Sequence, residues 1–150
     1  MIDENMDEML ASEAIEAREN AYAPYSRYKV GAALLTRDGT IYRGCNVENQ
    51  AYPSTLCAER VAVGKAISEG QKWSDFVAIG VVGTGDSPCR PCGMCRQVLS
   101  EMYADAARAE GGETNDLRVV MINSPESRGE MLVLKLSELL PYAFNLHEEG

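Results

Sequence analysis

Residues 76–82 read Phe76-Val77-Ala78-Ile79-Gly80-Val81-Val82. Seven apolar residues in a row, without alternation, predict a strand buried on both faces, at the centre of a sheet covered by helices on each side. The flanks agree. Upstream, from Cys57, the residues Ala58, Val61, Ala62 and Ala66 share one helical face and stop near Gly70. Downstream, Gly83 to Met94 holds three glycines and two prolines and reads as a loop. Cys95 to about Ala109 then carries Val98, Met102 and Ala106 on one side, a second helix. Leu117–Ile122 and Met131–Leu134 are further strands, followed by a helical turn from Ser137 to Leu140 and then Pro141. Toward the N-terminus, Val30–Leu35 and Thr40–Tyr42 flank Arg37-Asp38-Gly39, and Asp-Gly between two such runs predicts a hairpin. Residues 3–21, with Met6, Met9, Leu10, Ala14, Ala17 and Ala21 at helical spacing, predict an amphipathic helix ended by Pro24. A hairpin followed by helix, strand, helix and strand implies an α/β fold. The arrangement expected is a three-layer α/β/α sandwich around one mixed, about five-stranded sheet.

The chain has 150 residues, which suits a single domain spanning 1–150. Hydrophobic residues make up 45% and charged residues 25%, an ordinary globular composition that excludes disorder. The net charge of −9 excludes sequence-independent binding to a phosphate backbone, which needs a cationic surface. No apolar run approaches the roughly 18 residues of a membrane span. The acidic start from Met1 to Glu8 does not resemble the basic region of a signal peptide. A cytoplasmic protein with no membrane partner is expected.

Five cysteines, Cys45, Cys57, Cys89, Cys92 and Cys95, form a poor disulfide framework, because the count is odd and three crowd into seven positions. In a reducing compartment such a cluster binds metal or does redox chemistry. Cys57-Ala58-Glu59 sits where a loop becomes a helix, and Pro91-Cys92-Gly93-Met94-Cys95 where the next loop becomes the next helix. A helix N-terminus favours a thiolate through its unpaired N–H groups and dipole. Two such ends facing one point could supply three thiolates to one Zn²⁺, leaving a fourth tetrahedral position for water. Glu59, two residues past Cys57, would then lie beside that water and could carry its proton to a leaving group. This spacing is the general signature of zinc nucleobase deaminases. Pro88-Cys89-Arg90-Pro91-Cys92 also fits Pro-Cys-x-x-Cys, so two registers are open. Gly93 and the helix starting at Arg96-Gln97-Val98 favour Cys92 with Cys95, which makes Cys89 a spare thiol.

Around these motifs the match closes further. Gly44-Cys45-Asn46-Val47-Glu48-Asn49, Tyr52-Pro53, Cys57-Ala58-Glu59-Arg60 and Pro91-Cys92-Gly93-Met94-Cys95-Arg96-Gln97 resemble the small cytidine deaminases of pyrimidine salvage. So do Tyr22-Ala23-Pro24-Tyr25-Ser26, Val30-Gly31-Ala32-Ala33-Leu34, and Glu138-Leu139-Leu140-Pro141 with Phe144. The resemblance runs in order from about residue 20 to residue 144. It implies hydrolytic deamination of cytidine and deoxycytidine to uridine and deoxyuridine, with one zinc per subunit held by Cys57, Cys92 and Cys95 and with Glu59 as proton shuttle. It implies that Asn46 and Glu48 hydrogen-bond the ribose hydroxyls, and that the backbone near Ala58 holds the base edge. Tyr28 falls where the family has a phenylalanine packed on the base. Phe144 would enter a neighbouring subunit's site, because the family is homotetrameric with shared sites. Arg60 would hydrogen-bond the thiolates and withdraw charge from them.

Other readings remain in view. A blasticidin-type antibiotic deaminase shares the zinc loops but lacks the Asn-Val-Glu-Asn ribose loop, so Asn46 and Glu48 favour a nucleoside. A non-catalytic metal module is the second alternative. Cys89-x2-Cys92-x2-Cys95 imitates the start of a ferredoxin-type run, but the fourth position is Leu99. A Cys-x-x-Cys redox protein is the third. His147 receives no role.

Overall fold

The computed structural model describes residues 4–109, 111–112, 114–127 and 129–146. Asp3 of the expected first helix, and His147, lie outside the described residues.

The unbroken apolar run forms strand β3, Phe76–Val82. The hairpin is β1, Gly31–Thr36, and β2, Ile41–Cys45. The later strands are β4, Arg118–Ile122, and β5, Met131–Lys135. They make one mixed sheet of five strands in the order β2-β1-β3-β4-β5. β3 and β4 run parallel, while the other three pairings are antiparallel. A parallel pair needs a crossover. Helix α3, Gly93–Arg108, supplies it.

Side chains alternate across the sheet, so each strand serves two cores. Ala33, Ala78, Val82, Val120 and Ile122 meet Leu10, Ala11 and Ala14 of helix α1, Glu4–Arg18. Ala32, Leu34, Ile79, Val81, Val119 and Met121 face the other way. There they meet helix α2, Ala58–Ser68, together with α3 and the short α4, Leu136–Leu139. The three-layer α/β/α sandwich expected from the sequence is the fold observed. Asp7 and Arg118 fasten α1 to β4 by two parallel hydrogen bonds of 2.9 and 2.7 Å.

Several boundaries differ from the sequence expectation: β2 runs on to Cys45, three residues past Tyr42, and the helices α1 and α3 shift as well. α1 ends at Arg18, not at 21, and Pro24 does not end it. Glu19 and Asn20 close a tighter turn onto Glu16 and Ala17. The Tyr22 N–H then leaves for the Asn46 carbonyl at 3.0 Å, and Tyr22 bridges Val47. A tertiary pairing, and not the proline, draws the chain out of the helix. α3 starts at Gly93, two residues before the expected Cys95, with Cys92 in extended conformation as its N-cap.

Candidate metal and catalytic site

The N-termini of α2 and α3 converge. Cys57 caps α2 and Cys92 caps α3, both with extended backbone and neither spending its side chain on a cap hydrogen bond. Their sulfurs are therefore free to face each other, at 4.0 Å. Cys95, in the first turn of α3, completes a group of three Sγ atoms all within 4.8 Å of one another. Tetrahedral zinc–sulfur bonds of about 2.3 Å place the sulfurs about 3.8 Å apart, so the donor set fits a zinc ion in both chemistry and spacing. Cys89 is outside this group. Its N–H bonds the Ile122 carbonyl at 3.1 Å, and its thiol lies against Tyr28.

Three thiols this close share protons. A hydrogen bond from Cys95 favours the Cys57 thiolate and lowers its pKa, and the same contact raises that of Cys95. Arg60 reinforces the thiolate: its Nη2 donates to Cys57 Sγ at 3.3 Å and to the Thr55 carbonyl at 3.1 Å. The Arg60 Nε is buried without a hydrogen-bond partner beside this cluster.

Glu59, in the first turn of α2, is 4% exposed. Burial pushes its carboxyl pKa up, and the nearby Cys57 pushes the same way. A carboxyl whose pKa is raised holds its proton more readily than a free one, which suits it to proton transfer. Glu59, Ala58, Cys57 and Cys92 share a cavity of about 360 Å³ with Tyr28 and Asn46. Its size suits a small organic ligand.

The other sequence-derived residues sit as follows. Asn46 is a brace as well as a wall: its Oδ1 accepts the Val30 N–H and its Nδ2 donates to the Tyr28 carbonyl, both at 2.8 Å. Glu48 does not line the cavity; its carboxylate accepts the N–H groups of Tyr25 and Ser26 and the Ser26 hydroxyl. Phe144 lies in a different cavity, with Tyr103 and Tyr142, and is 68% exposed. The structure adds Val30, Thr55, Pro88, Cys89 and Arg90 to the walls. The doubled Pro-Cys run was the sequence signal for that loop.

The cytidine and deoxycytidylate deaminase zinc-binding region matches residues 4–108. A cytidine deaminase from Halalkalibacterium halodurans is 46% identical over 141 residues, covering 94% of this chain and 96% of that protein. The crystal structure of cytidine deaminase from Burkholderia pseudomallei superposes with a TM-score of 0.80 at 44% identity, covering 91% of this chain and 98% of that one. A blasticidin-S deaminase from Bacillus cereus is more distant, 30% identical over 79% of each chain.

Proposed function

The chain belongs to the cytidine and deoxycytidylate deaminase family, and from that premise we propose that it hydrolyses cytidine to uridine and ammonia with zinc as cofactor. The observation that carries this reading is a buried carboxyl, Glu59, sharing one cavity with Cys57 and Cys92 of the three-thiol cluster. Cys57, Cys92 and Cys95 would hold the metal. Zinc bound there supplies a Lewis acid that makes water nucleophilic at neutral pH. Glu59 does the proton work. Its carboxylate takes a proton from the attacking water and gives it to ring N3. It then passes the second proton to the departing amino group. Oxygen ends on C4 and ammonia leaves, so atoms balance. Tyr28 walls the base, Ala58 offers its backbone to the base edge, and Asn46 and Glu48 set the loop that receives the ribose. Deoxycytidine is the second substrate of the same proposal.

The assembly belongs to the same proposal: a homotetramer in which Phe144 of one subunit reaches a neighbour's site. Tyr22, Tyr52, Leu56 and Phe144 support it, being 56%, 54%, 47% and 68% exposed. Apolar groups so placed favour burial against another chain. Among the described residues no helix is long and apolar enough to cross a membrane. The free thiols support a reducing, cytoplasmic setting for a salvage enzyme.

The deciding experiment follows the ultraviolet absorbance of cytidine with zinc-loaded protein beside the Glu59→Ala variant. Loss of the cytidine band with the native chain alone is the expected result. A zinc-loaded native chain that leaves cytidine intact and consumes blasticidin S would overturn the assignment.

A further inference from the structure

Residues 27–30 present two faces. Tyr28 and Val30 line the cavity that holds Glu59. Arg27 and Lys29 line a second cavity of about 490 Å³, shared with Arg18, Glu126 and Glu19. Thr84, next to the loop that supplies Pro88 to Arg90 to the first cavity, ties the two regions together. Its hydroxyl accepts the Lys29 N–H at 3.0 Å and donates to the Lys29 carbonyl at 2.9 Å.

The cations differ in their commitments. Arg18 is 8% exposed and fixed: Nη1 donates to the Gly83 carbonyl at 2.8 Å and Nη2 meets Glu126 Oε1 at 3.2 Å. Arg27 and Lys29 are exposed, and neither side chain has a hydrogen bond or ion pair with any described residue. Arg27 also holds a left-handed backbone, φ 57°, with its N–H bonded to the Ala23 carbonyl. That conformation is disfavoured for arginine and persists where surrounding structure enforces it. Hydroxyls nearby are committed elsewhere, Ser124 to Glu126 and Ser127 to Asp86. The cavity therefore offers an incoming group two unpartnered cations over a fixed third. Three cations against two carboxylates make it locally positive on a chain of net charge −9.

We propose that this second cavity binds the phosphate group of a phosphorylated small metabolite. Two free cations match the charge of a phosphate monoester dianion, and a guanidinium matches its oxygens geometrically. The volume accommodates more than the phosphate alone.

The test is calorimetric titration of the zinc-loaded full chain, at low ionic strength, with ribose 5-phosphate, adenosine 5′-monophosphate and inorganic phosphate. At least one of the two esters should bind more tightly than inorganic phosphate, with an affinity that falls as salt rises. Arg27→Asn with Lys29→Gln should weaken that binding roughly tenfold, since two charge pairs each contribute a modest factor. Asparagine tolerates the left-handed backbone, and both side chains are exposed, so folding should survive; Lys29→Glu alone provides a second variant. Arg90→Gln, in the first cavity, should leave phosphate binding unchanged. No binding of either ester at ~10 mM would overturn the proposal, because that lies beyond the millimolar range of weak specific sites. So would unchanged affinity in both Arg27/Lys29 variants, or loss of binding in Arg90→Gln instead. Inorganic phosphate binding as tightly as the esters would overturn the assignment to a metabolite.

Discussion

Replacing Gly44 with alanine adds one methyl group at a residue that does not line the Glu59 cavity, and it should disable the protein. Gly44 lies in β2 where the first turn of α2 crosses it. A Cβ there would stand 2.2 Å from the Ala58 carbonyl oxygen and 2.7 Å from the Ala62 nitrogen, against the 3.4 Å at which ordinary contact begins. The helix would have to withdraw by about 1.2 Å, and because the obstructing atoms are backbone, no side chain can swing aside. Ala58 sits between Cys57 and Glu59, so the withdrawal displaces a thiol ligand and the proton carrier together. Misplacement of about 1 Å costs on the order of 100-fold in rate. The overpacking itself costs about 1–3 kcal/mol. A chain of this length loses roughly 3–4 °C of thermal midpoint per kcal/mol. The assay is kcat on cytidine, zinc content per chain and the thermal midpoint, measured beside Gly64→Ala. Gly64 lies in the same helix with nothing within 4 Å of its would-be Cβ. There the same substitution should add about 0.5–1 kcal/mol of stability and leave kcat unchanged. A Gly44→Ala protein with native kcat and native midpoint would refute the close-approach argument.

Other consequences are equally direct. Cys95→Ser should lose most of its zinc while Cys89→Ser retains it, read by metal analysis after gel filtration; the reverse pattern would move the site to the other cysteine register. Arg60→Gln should shift the pH–activity profile upward, because three thiolates and Zn²⁺ leave a net −1 that opposes deprotonating water, and Arg60 offsets part of it; an unmoved profile would defeat this. For the Asp116 carboxyl, burial alone would raise the pKa, but hydrogen bonds from Ser137 and Tyr103 bring it down on balance. Its contribution to stability is thus present above the unfolded carboxylate pKa and lost as pH falls through the folded one. Asp116→Asn should flatten the acid side of the stability curve, measured by denaturant titration at several pH values.

The parts of the fold legible in the sequence are those whose pattern is local. β3 was legible because burial on both faces leaves no polar residue in the run, and the hairpin because Asp38-Gly39 places Gly39 at φ 85°. The end of α1 was not legible, because it depends on Tyr22 finding Asn46 and Val47 across the fold. The cysteine register was ambiguous for a related reason. Cys89 and Cys95 stand at equal spacing from Cys92, and only the path of the loop along β4 carries Cys89 away. Glu48 shows the limit most clearly. Its place in the Asn46-to-Asn49 loop carried no local sign that its carboxylate would gather Tyr25 and Ser26 from the segment before β1. In this arrangement it shapes the segment leading to Tyr28 and does not line the cavity.

The two helix ends explain how an anionic cluster can be tolerated next to a carboxyl. Three thiolates beside Glu59 would repel one another strongly in a cavity partly closed to water. Cys57 and Cys92, as N-caps, stand at the positive ends of the α2 and α3 dipoles, each end contributing a partial positive charge. Arg60 adds a full one at 3.3 Å from Cys57 Sγ. With the cluster partly offset in this way, burial is the first cause of the raised Glu59 pKa, and the charge on Cys57 adds to it. Sequence economy follows: Cys-Ala-Glu-Arg over residues 57–60 delivers the ligand, the helix start, the proton carrier and the counter-charge in a single turn. An insertion of one residue between Cys57 and Arg60 would rotate the guanidinium by about 100° around α2. Such a chain should keep its sheet and lose the thiolate contact.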